Sequence, residues 1–115
     1  MIGEHIDYCG YAVHPMAIEQ DVLIAVSRND SKILKLKNLE SDQYQDFETD
    51  LGNDIKIELG QRHWWNYFLC GVKGVLEMEK ISSRNGINCF VDGKIPPRAG
   101  LSSSSALVVS AALCK

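Results

Sequence analysis

The sequence lacks the features that direct a protein to a membrane or to secretion. No apolar run reaches the roughly 18 residues that a membrane helix needs, and the longest uncharged stretch, 99–114, contains four consecutive serines. Met1 is followed directly by Ile-Gly-Glu-His, without the basic segment that opens a targeting peptide. We therefore expect a cytoplasmic protein without a membrane partner.

The sequence also lacks a cysteine pattern for metal binding. The four cysteines form no C-x-x-C pair and the three histidines complete no zinc spacing, the residues being Cys9, Cys70, Cys89, Cys114, His5, His14 and His63. The even number of cysteines permits disulfides, but without a signal peptide we expect reduced and mostly buried thiols.

Basic residues are too few and too scattered for a nucleic-acid surface. The chain has 12 Lys and Arg against 15 Asp and Glu, a net charge of -3, and no cluster of positive charge. A composition of 45% hydrophobic and 23% charged residues is that of a globular protein, and 115 residues is the length of one domain. We expect one domain over 1–115 that does not bind nucleic acid.

Several segments have the pattern of strands. Alternating or continuous apolar residues bounded by turn formers predict strands over 17–26, 33–37, 54–59 and 87–91, with Gly60 ending the third and a tight turn at 92–93 closing the fourth. The strand over 33–37 is expected to be half exposed. The polar segment 40–52 carries no firm prediction.

Two segments have the pattern of helices. Over 65–81 an apolar face recurs at helical spacing and a polar face opposes it; the apolar set is Phe68, Leu69, Val72, Val75 and Leu76, and the polar set is Asn66, Lys73, Glu77 and Lys80. Residues 106–114 are apolar almost all round, which predicts a buried helix. The order strands, helix, strand, loop, helix indicates a mixed α+β domain.

The segment 96–106, Pro-Pro-Arg-Ala-Gly-Leu-Ser-Ser-Ser-Ser-Ala, combines features of an anion-binding loop. Pro96 and Pro97 end the preceding strand because proline cannot donate to a ladder, and Gly100 lets the backbone approach a ligand closely. The serines lead into a helix whose first N–H groups have no internal partner and lie at the positive end of its dipole. Serine hydroxyls add donors to phosphate, and one can ligate Mg²⁺.

The loop has a simpler interpretation as well. It does not match the Walker motif, because no lysine follows the glycine. A serine run before a helix also occurs in an ordinary loop with a well-capped helix, although one serine is enough for a cap. The local chemistry alone leaves both interpretations open.

A second polar cluster lies near the start of the chain. Glu4, His5 and Asp7 place two carboxylates and an imidazole within four residues. Carboxylates accept hydrogen bonds from vicinal hydroxyls, which suits a sugar. A solvated turn, a helix cap and part of a metal site are the competing interpretations.

Together the two motifs resemble those of a known family. Pro96-x-x-x-Gly100-Leu101-Ser102-Ser103-Ser104 resembles the central motif of the GHMP kinases, and Gly3-Glu4-His5-x-Asp7-Tyr8 resembles the galactokinase signature of one branch of that superfamily. The similarity extends along the whole chain. The flanking residues look closest to the N-acetylgalactosamine kinases of the galactokinase family.

The resemblance implies a fold, a reaction and a set of site residues. The fold is the N-terminal α+β domain of a GHMP kinase, a mixed sheet with helices on one face, here truncated. The reaction moves the γ-phosphate of ATP to the anomeric hydroxyl of galactose or N-acetylgalactosamine, in a full-length protein expected to be a monomer. The signature (3–8) would hold the sugar and the loop (96–106) the ATP phosphates, with these residues: Glu4, His5 and Asp7 on sugar hydroxyls; Gly100, Leu101, Ser102, Ser103 and Ser104 on phosphate; Ser104 facing Mg²⁺; and Trp64 near the adenine or, alternatively, a core aromatic that opens the helix.

The chain departs from the family pattern at both ends. Met1 interrupts the family signature, so its arginine is missing, and the catalytic aspartate that acts as general base is expected beyond Lys115. No catalytic residue is therefore assigned within the chain. We expect the N-terminal part of a sugar 1-kinase that is inactive alone; the alternatives are a non-catalytic sugar- or ATP-binding sensor derived from the same family, and a plain α+β domain whose serines only cap a helix.

Overall fold

The computed structural model describes residues 7–58, 60–79 and 85–114. The elements found there are, in chain order, a short 3-10 turn at Asp7–Cys9, strands β1 Val22–Asn29, β2 Ile33–Asn38 and β3 Phe47–Asp50, helix α1 Trp64–Met78, strand β4 Gly86–Gly93 and helix α2 Ser103–Ala112. The predicted order of strands, helix, strand, loop and helix is confirmed.

The four strands form one mixed sheet in the order β1-β4-β2-β3. β4 pairs antiparallel with β1 and parallel with β2, and β2 pairs antiparallel with β3. Parallel neighbours need a long crossover connection, and here that connection carries α1. The sheet is therefore mixed, as the resemblance to the GHMP kinases implies.

One face of the sheet and both helices share the core. Leu34 and Leu36 on β2 are fully buried, while Lys35 between them is exposed, because alternate side chains of a strand point to opposite faces. They form one apolar cluster with Phe68 of α1 and Ala111 of α2. Both helices thus cover the same face of the sheet, which confirms the expected architecture.

The helices approach each other closely at Gly71. A Cβ atom at this position would overlap the Val108 carbonyl oxygen and would lie 3.0 Å from the Ala111 Cβ. Glycine is required here because backbone meets backbone. Gly71 of α1 therefore sets the position of α2, whose N-terminus follows the serine loop.

One strand prediction is wrong, and one strand lies where none was predicted. The predicted strand 54–59 is irregular over its described residues 54–58, although Ile55 is buried in the core. Its alternation reflects burial of one side of an extended segment, whereas a strand also needs a hydrogen-bonded neighbour. The third strand along the chain, β3 at Phe47–Asp50, lies instead within the segment 40–52, for which the sequence carried no firm prediction.

Other element boundaries also differ from the predictions. β1 begins at Val22 rather than at 17, and 92–93 is not a turn, because Asp92 and Gly93 continue β4 and pair with Leu23 and Val22. α2 begins at Ser103 rather than at 106, and it is only partly buried, since Val109 within it is 45% exposed.

The cysteines are free thiols, but only one of them is fully buried. Cys9 and Cys70 are exposed, contrary to the expectation of mostly buried thiols, and Cys114 is half-buried. Burial raises the pKa of the Cys89 thiol to about 12, and the nearby Cys114 adds a smaller upward contribution.

None of the helices in the described ranges has both the length and the hydrophobicity of a membrane-spanning segment.

Candidate functional site

The segment between β4 and α2 turns sharply by means of three left-handed residues. Arg98, Gly100 and Ser102 have φ values of 61°, 69° and 62°. Glycine adopts this conformation readily, but residues with a Cβ atom do so at a cost. Gly100 therefore meets the local requirement predicted from the sequence, while Arg98 and Ser102 are held in a conformation that their side chains disfavour.

Ser102 stands at the N-cap of α2 and does not act as a cap. A capping serine normally has an extended backbone, whereas Ser102 is left-handed, and within the described part of the chain its hydroxyl makes no capping hydrogen bond. The interpretation of the serine run as an ordinary well-capped helix therefore loses its main support.

The backbone N–H groups at the start of α2 remain available. The first helical hydrogen bond runs from the Ala106 N–H to the Ser102 carbonyl at 2.9 Å. The N–H groups of Ser103, Ser104 and Ser105 precede it and so have no acceptor within the helix. The first turn contains no acidic side chain, so nothing there opposes an anion at the positive end of the helix dipole.

The residues of this loop are partly accessible from solvent. Gly100 and Leu101 are exposed, and the serines over 102–105 are half-buried. Among the residues that the structure describes, no group of three or more His, Cys, Asp or Glu side chains is placed to hold a metal ion. A magnesium ion here would depend on a serine hydroxyl and on oxygens of its phosphate ligand, a mode that Mg²⁺ accepts. The residues thus fit a magnesium–phosphate group better than a metal ion alone.

Trp64 lies at the start of α1, in an aromatic cluster. Its indole N–H donates to the Gln45 carbonyl oxygen at 3.0 Å, and its ring meets the edges of Tyr44 and Trp65 at centroid distances of 6.4 Å each. Within the described residues, none of these ring and hydrogen-bond contacts of Trp64 is with the serine loop. The residues 100–104 are neighbours in the sequence and precede or begin α2, whereas Trp64 lies at the start of the other helix.

The remaining predicted site residues lie at the edge of what is described. Glu4 and His5 fall outside the described residues, and Asp7 opens the short 3-10 turn. Tyr8 within this turn is exposed, as are Tyr11 and Met16 on the following segment, which has no regular structure.

Asn66 is a supporting residue that periodicity assigned wrongly. It was predicted on the exposed face of α1, but it is 9% exposed. Its side-chain amide donates to the Glu58 and Gln61 carbonyl oxygens at 3.1 and 2.9 Å, so it fastens the preceding loop to the helix that presents Trp64. Helical spacing cannot predict the burial of Asn66, because this burial depends on carbonyl groups of a loop outside the helix.

Models of two related families match the chain. The galactokinase galactose-binding signature matches residues 1–28, and the N-terminal domain of GHMP kinases matches residues 66–114. The second match covers most of α1, and all of β4, the serine loop and α2.

Galactokinases are similar to the chain over nearly its whole length. It is 43% identical to a galactokinase of Dictyostelium discoideum over 94% of the chain and 22% of that protein, and 34% identical to one of Saccharomyces cerevisiae over 98% of the chain and 24% of that protein. The chain thus spans about a quarter of the length of these relatives.

Solved structures agree with these relatives. Lactococcus lactis galactokinase complexed with galactose superposes with a TM-score of 0.70 at 26% identity, over 96% of this chain and 28% of that one. Methanococcus jannaschii mevalonate kinase has a TM-score of 0.66 at 20% identity, over 79% of this chain and 28% of that one, which shows the shared fold. By its signature, its relatives and its fold, the chain belongs to the galactokinase family of the GHMP kinases.

Proposed function

We propose that the chain supplies the sugar-recognition signature and the ATP-phosphate loop of an ATP-dependent sugar 1-kinase. The uncapped N-terminus of α2 carries the proposal, because three N–H groups without an acceptor in the helix lie there among consecutive serines, and the first turn has no acidic side chain. Such a terminus stabilises an anion through hydrogen bonds and through the helix dipole.

In this proposal Gly100, Leu101, Ser102 and Ser103 hold the phosphates of ATP, and Ser104 also faces Mg²⁺. When bound, Mg²⁺ and ATP supply the charge neutralisation and the phosphoryl group of the reaction. The chain's own contribution is to hold the phosphates in one place, which is a large part of catalysis in phosphoryl transfer. Trp64 is proposed to contact the adenine, using the part of its ring that the aromatic cluster leaves half-exposed.

The sugar is proposed to bind at Glu4, His5 and Asp7. The match to the galactose-binding signature over residues 1–28 supports this assignment, as does the similarity to a galactokinase complexed with galactose. Carboxylates accept hydrogen bonds from vicinal hydroxyls and fix a sugar in one orientation. We propose galactose or N-acetylgalactosamine as the substrate, phosphorylated at the anomeric hydroxyl.

Binding and transfer are separable in this proposal. The family resemblance assigns no general base to the chain's own residues, so we propose that these 115 residues bind ATP and sugar but do not transfer phosphate. We further propose a cytoplasmic location, with small molecules as the ligands.

Calorimetric titration of the chain with ADP and with galactose tests the proposal. Replacing both Ser103 and Ser104 by alanine is expected to weaken ADP binding about tenfold or more, because hydrogen bonds to a charged group are lost. Ser110→Ala is the matched control, since it makes the same change at the other end of α2. Absence of heat with both ligands would contradict the proposal.

Substrate and turnover need a second assay. Incubation with ATP and either galactose or N-acetylgalactosamine, followed by detection of the sugar 1-phosphate, compares this chain with a protein that carries it and continues into the rest of the family sequence. We expect no product from the 115 residues. Product formation by the chain alone would show that the separation of binding from transfer is wrong.

A further inference from the structure

Arg98 is an isolated charge in the part of the chain that forms the phosphate loop. Between residues 95 and 114 it is the sole charged side chain, and it lies four positions before the N-cap of α2. Its side chain is exposed. Among the described residues no hydrogen bond or ion pair involves it, so its positive charge is not neutralised by a carboxylate there.

The backbone at Arg98 offers no structural reason for an arginine. Its φ of 61° places it in the left-handed region, which glycine adopts freely and a residue with a Cβ atom adopts at a cost in stability. Among the described residues the guanidinium makes no hydrogen bond or ion pair that offsets this cost. Residues with strained backbones cluster at active sites and ligand-binding loops.

A guanidinium has the chemistry that the loop otherwise lacks. The N–H groups at the start of α2 carry only partial charges, and no lysine follows Gly100. An arginine remains charged at every physiological pH, and its planar fork binds two phosphate oxygens at once.

We propose that Arg98 is a phosphate-binding residue that pairs with the terminal phosphates of the bound nucleotide. The proposal rests on the function proposed above, and it adds a specificity-determining contact to that site. Because a guanidinium responds to charge, nucleotides with more phosphates should gain more from it. The contribution should also diminish at high salt, since exposed charges are screened.

Three variants of the chain test this assignment by titration with ATP, ADP and AMP. Arg98→Gly removes the charge and suits the left-handed backbone; Arg98→Gln removes the charge and keeps a long side chain; Arg98→Lys keeps the charge. We expect Arg98→Gly and Arg98→Gln to weaken ATP binding about tenfold and AMP binding much less. Arg98→Lys should retain part of the ATP affinity, and galactose binding should not change.

Thermal melting separates binding from structure. Arg98→Gly should melt at or above the temperature of the wild-type chain, because the left-handed position is relieved. If this variant instead melts lower, and Arg98→Lys fails to restore ATP affinity, Arg98 has a structural role and the assignment is wrong.

The outcome also distinguishes this inference from the proposed function. If the wild-type chain binds ATP and the Ser103 and Ser104 double variant does not, the phosphate loop stands. In that case, unchanged ATP affinity in Arg98→Gly overturns the role of Arg98 alone. If the wild-type chain does not bind ATP, the proposed function and the role of Arg98 fail together.

Discussion

The two helices both begin without a capping side chain in the described part of the chain, yet their N-termini differ in backbone conformation and in surroundings. At α1 the N-cap residue His63 has an extended backbone. Its ring stacks on Trp65 with ring centroids 4.2 Å apart, and Phe47 also stacks on Trp65, with centroids 4.9 Å apart. At α2 the N-cap residue Ser102 is left-handed and the preceding loop is exposed.

The polar groups near the two termini are used differently. Around the start of α1, side-chain donors bind other parts of the chain. The Asn66 amide donates to two loop carbonyls, and the Trp64 indole N–H donates to the Gln45 carbonyl. Around the start of α2 the N–H groups of the serines have no acceptor within the helix. The side chains around the start of α1 thus bind the protein itself, whereas Ser102 at the start of α2 makes no capping bond within the described residues.

The largest expected effect comes from the contact that ties the two helices together. Gly71→Ala places a methyl group against the Val108 carbonyl oxygen, and we expect it to lower the free energy of unfolding by about 1–3 kcal/mol. Because α2 would shift, nucleotide binding should fall as well. Urea denaturation and calorimetry measure the two effects.

Gly74 provides the control on the same helix. A Cβ atom there would meet nothing within 4 Å, so Gly74→Ala should stabilise the chain by about 0.5–1 kcal/mol through helix propensity. Equal effects of the two substitutions would show that the close approach at Gly71 does not position α2.

The next effect concerns the closed terminus of α1. Asn66→Ala leaves the Glu58 and Gln61 carbonyls without their side-chain donor, and a loss of about 1–3 kcal/mol in the free energy of unfolding is expected. Asn53→Ala is the comparison, because Asn53 is an exposed asparagine bonded to Asp50 and a surface change of this kind costs about 0.5 kcal/mol or less. Chemical denaturation of both variants measures the loss in the free energy of unfolding. Equal losses would contradict the structural role of Asn66.

The smallest effect concerns the open terminus of α2. Ser102→Gly relieves a left-handed residue whose hydroxyl makes no cap within the described residues, and we expect a gain of about 0.5–1 kcal/mol. His63→Gly, at the corresponding position of α1, should instead cost about 0.5–1.5 kcal/mol through loss of the stack on Trp65. Thermal melts of the two variants should move in opposite directions, and a shift in the same direction would refute the contrast between the termini.

Local pattern predicted much of the fold. Alternation at Leu34 and Leu36 identified β2 and its buried face, and the spacing of Phe68, Leu69 and Val72 identified α1. The same reasoning failed at 54–58, because alternation reports which side of an extended segment is buried and says nothing about its hydrogen-bonded neighbour. It failed at Asn66 for a related reason, since a polar residue is buried when distant carbonyls accept its hydrogen bonds.

The composition of the proposed phosphate loop could be predicted from the sequence, but its backbone geometry could not. Residue type and motif predict that Gly100 and the serines over 102–105 form an anion site, and the structure shows that these serines lead into α2. The left-handed backbone of Arg98 and Ser102 could not be predicted, because neither residue type favours it.

The sequence by itself determined the family and the order of most elements, because these depend on local periodicity and on motifs contiguous in the chain. The same motifs predict which residues form a phosphate loop. Tertiary structure decided the strand order, the close contact at Gly71, the burial of Asn66 and the conformation of the loop before α2. These features depend on which distant segments meet. Whether Ser102 caps its helix or leaves the terminus open is therefore set by the backbone that packing imposes, and not by the serine itself.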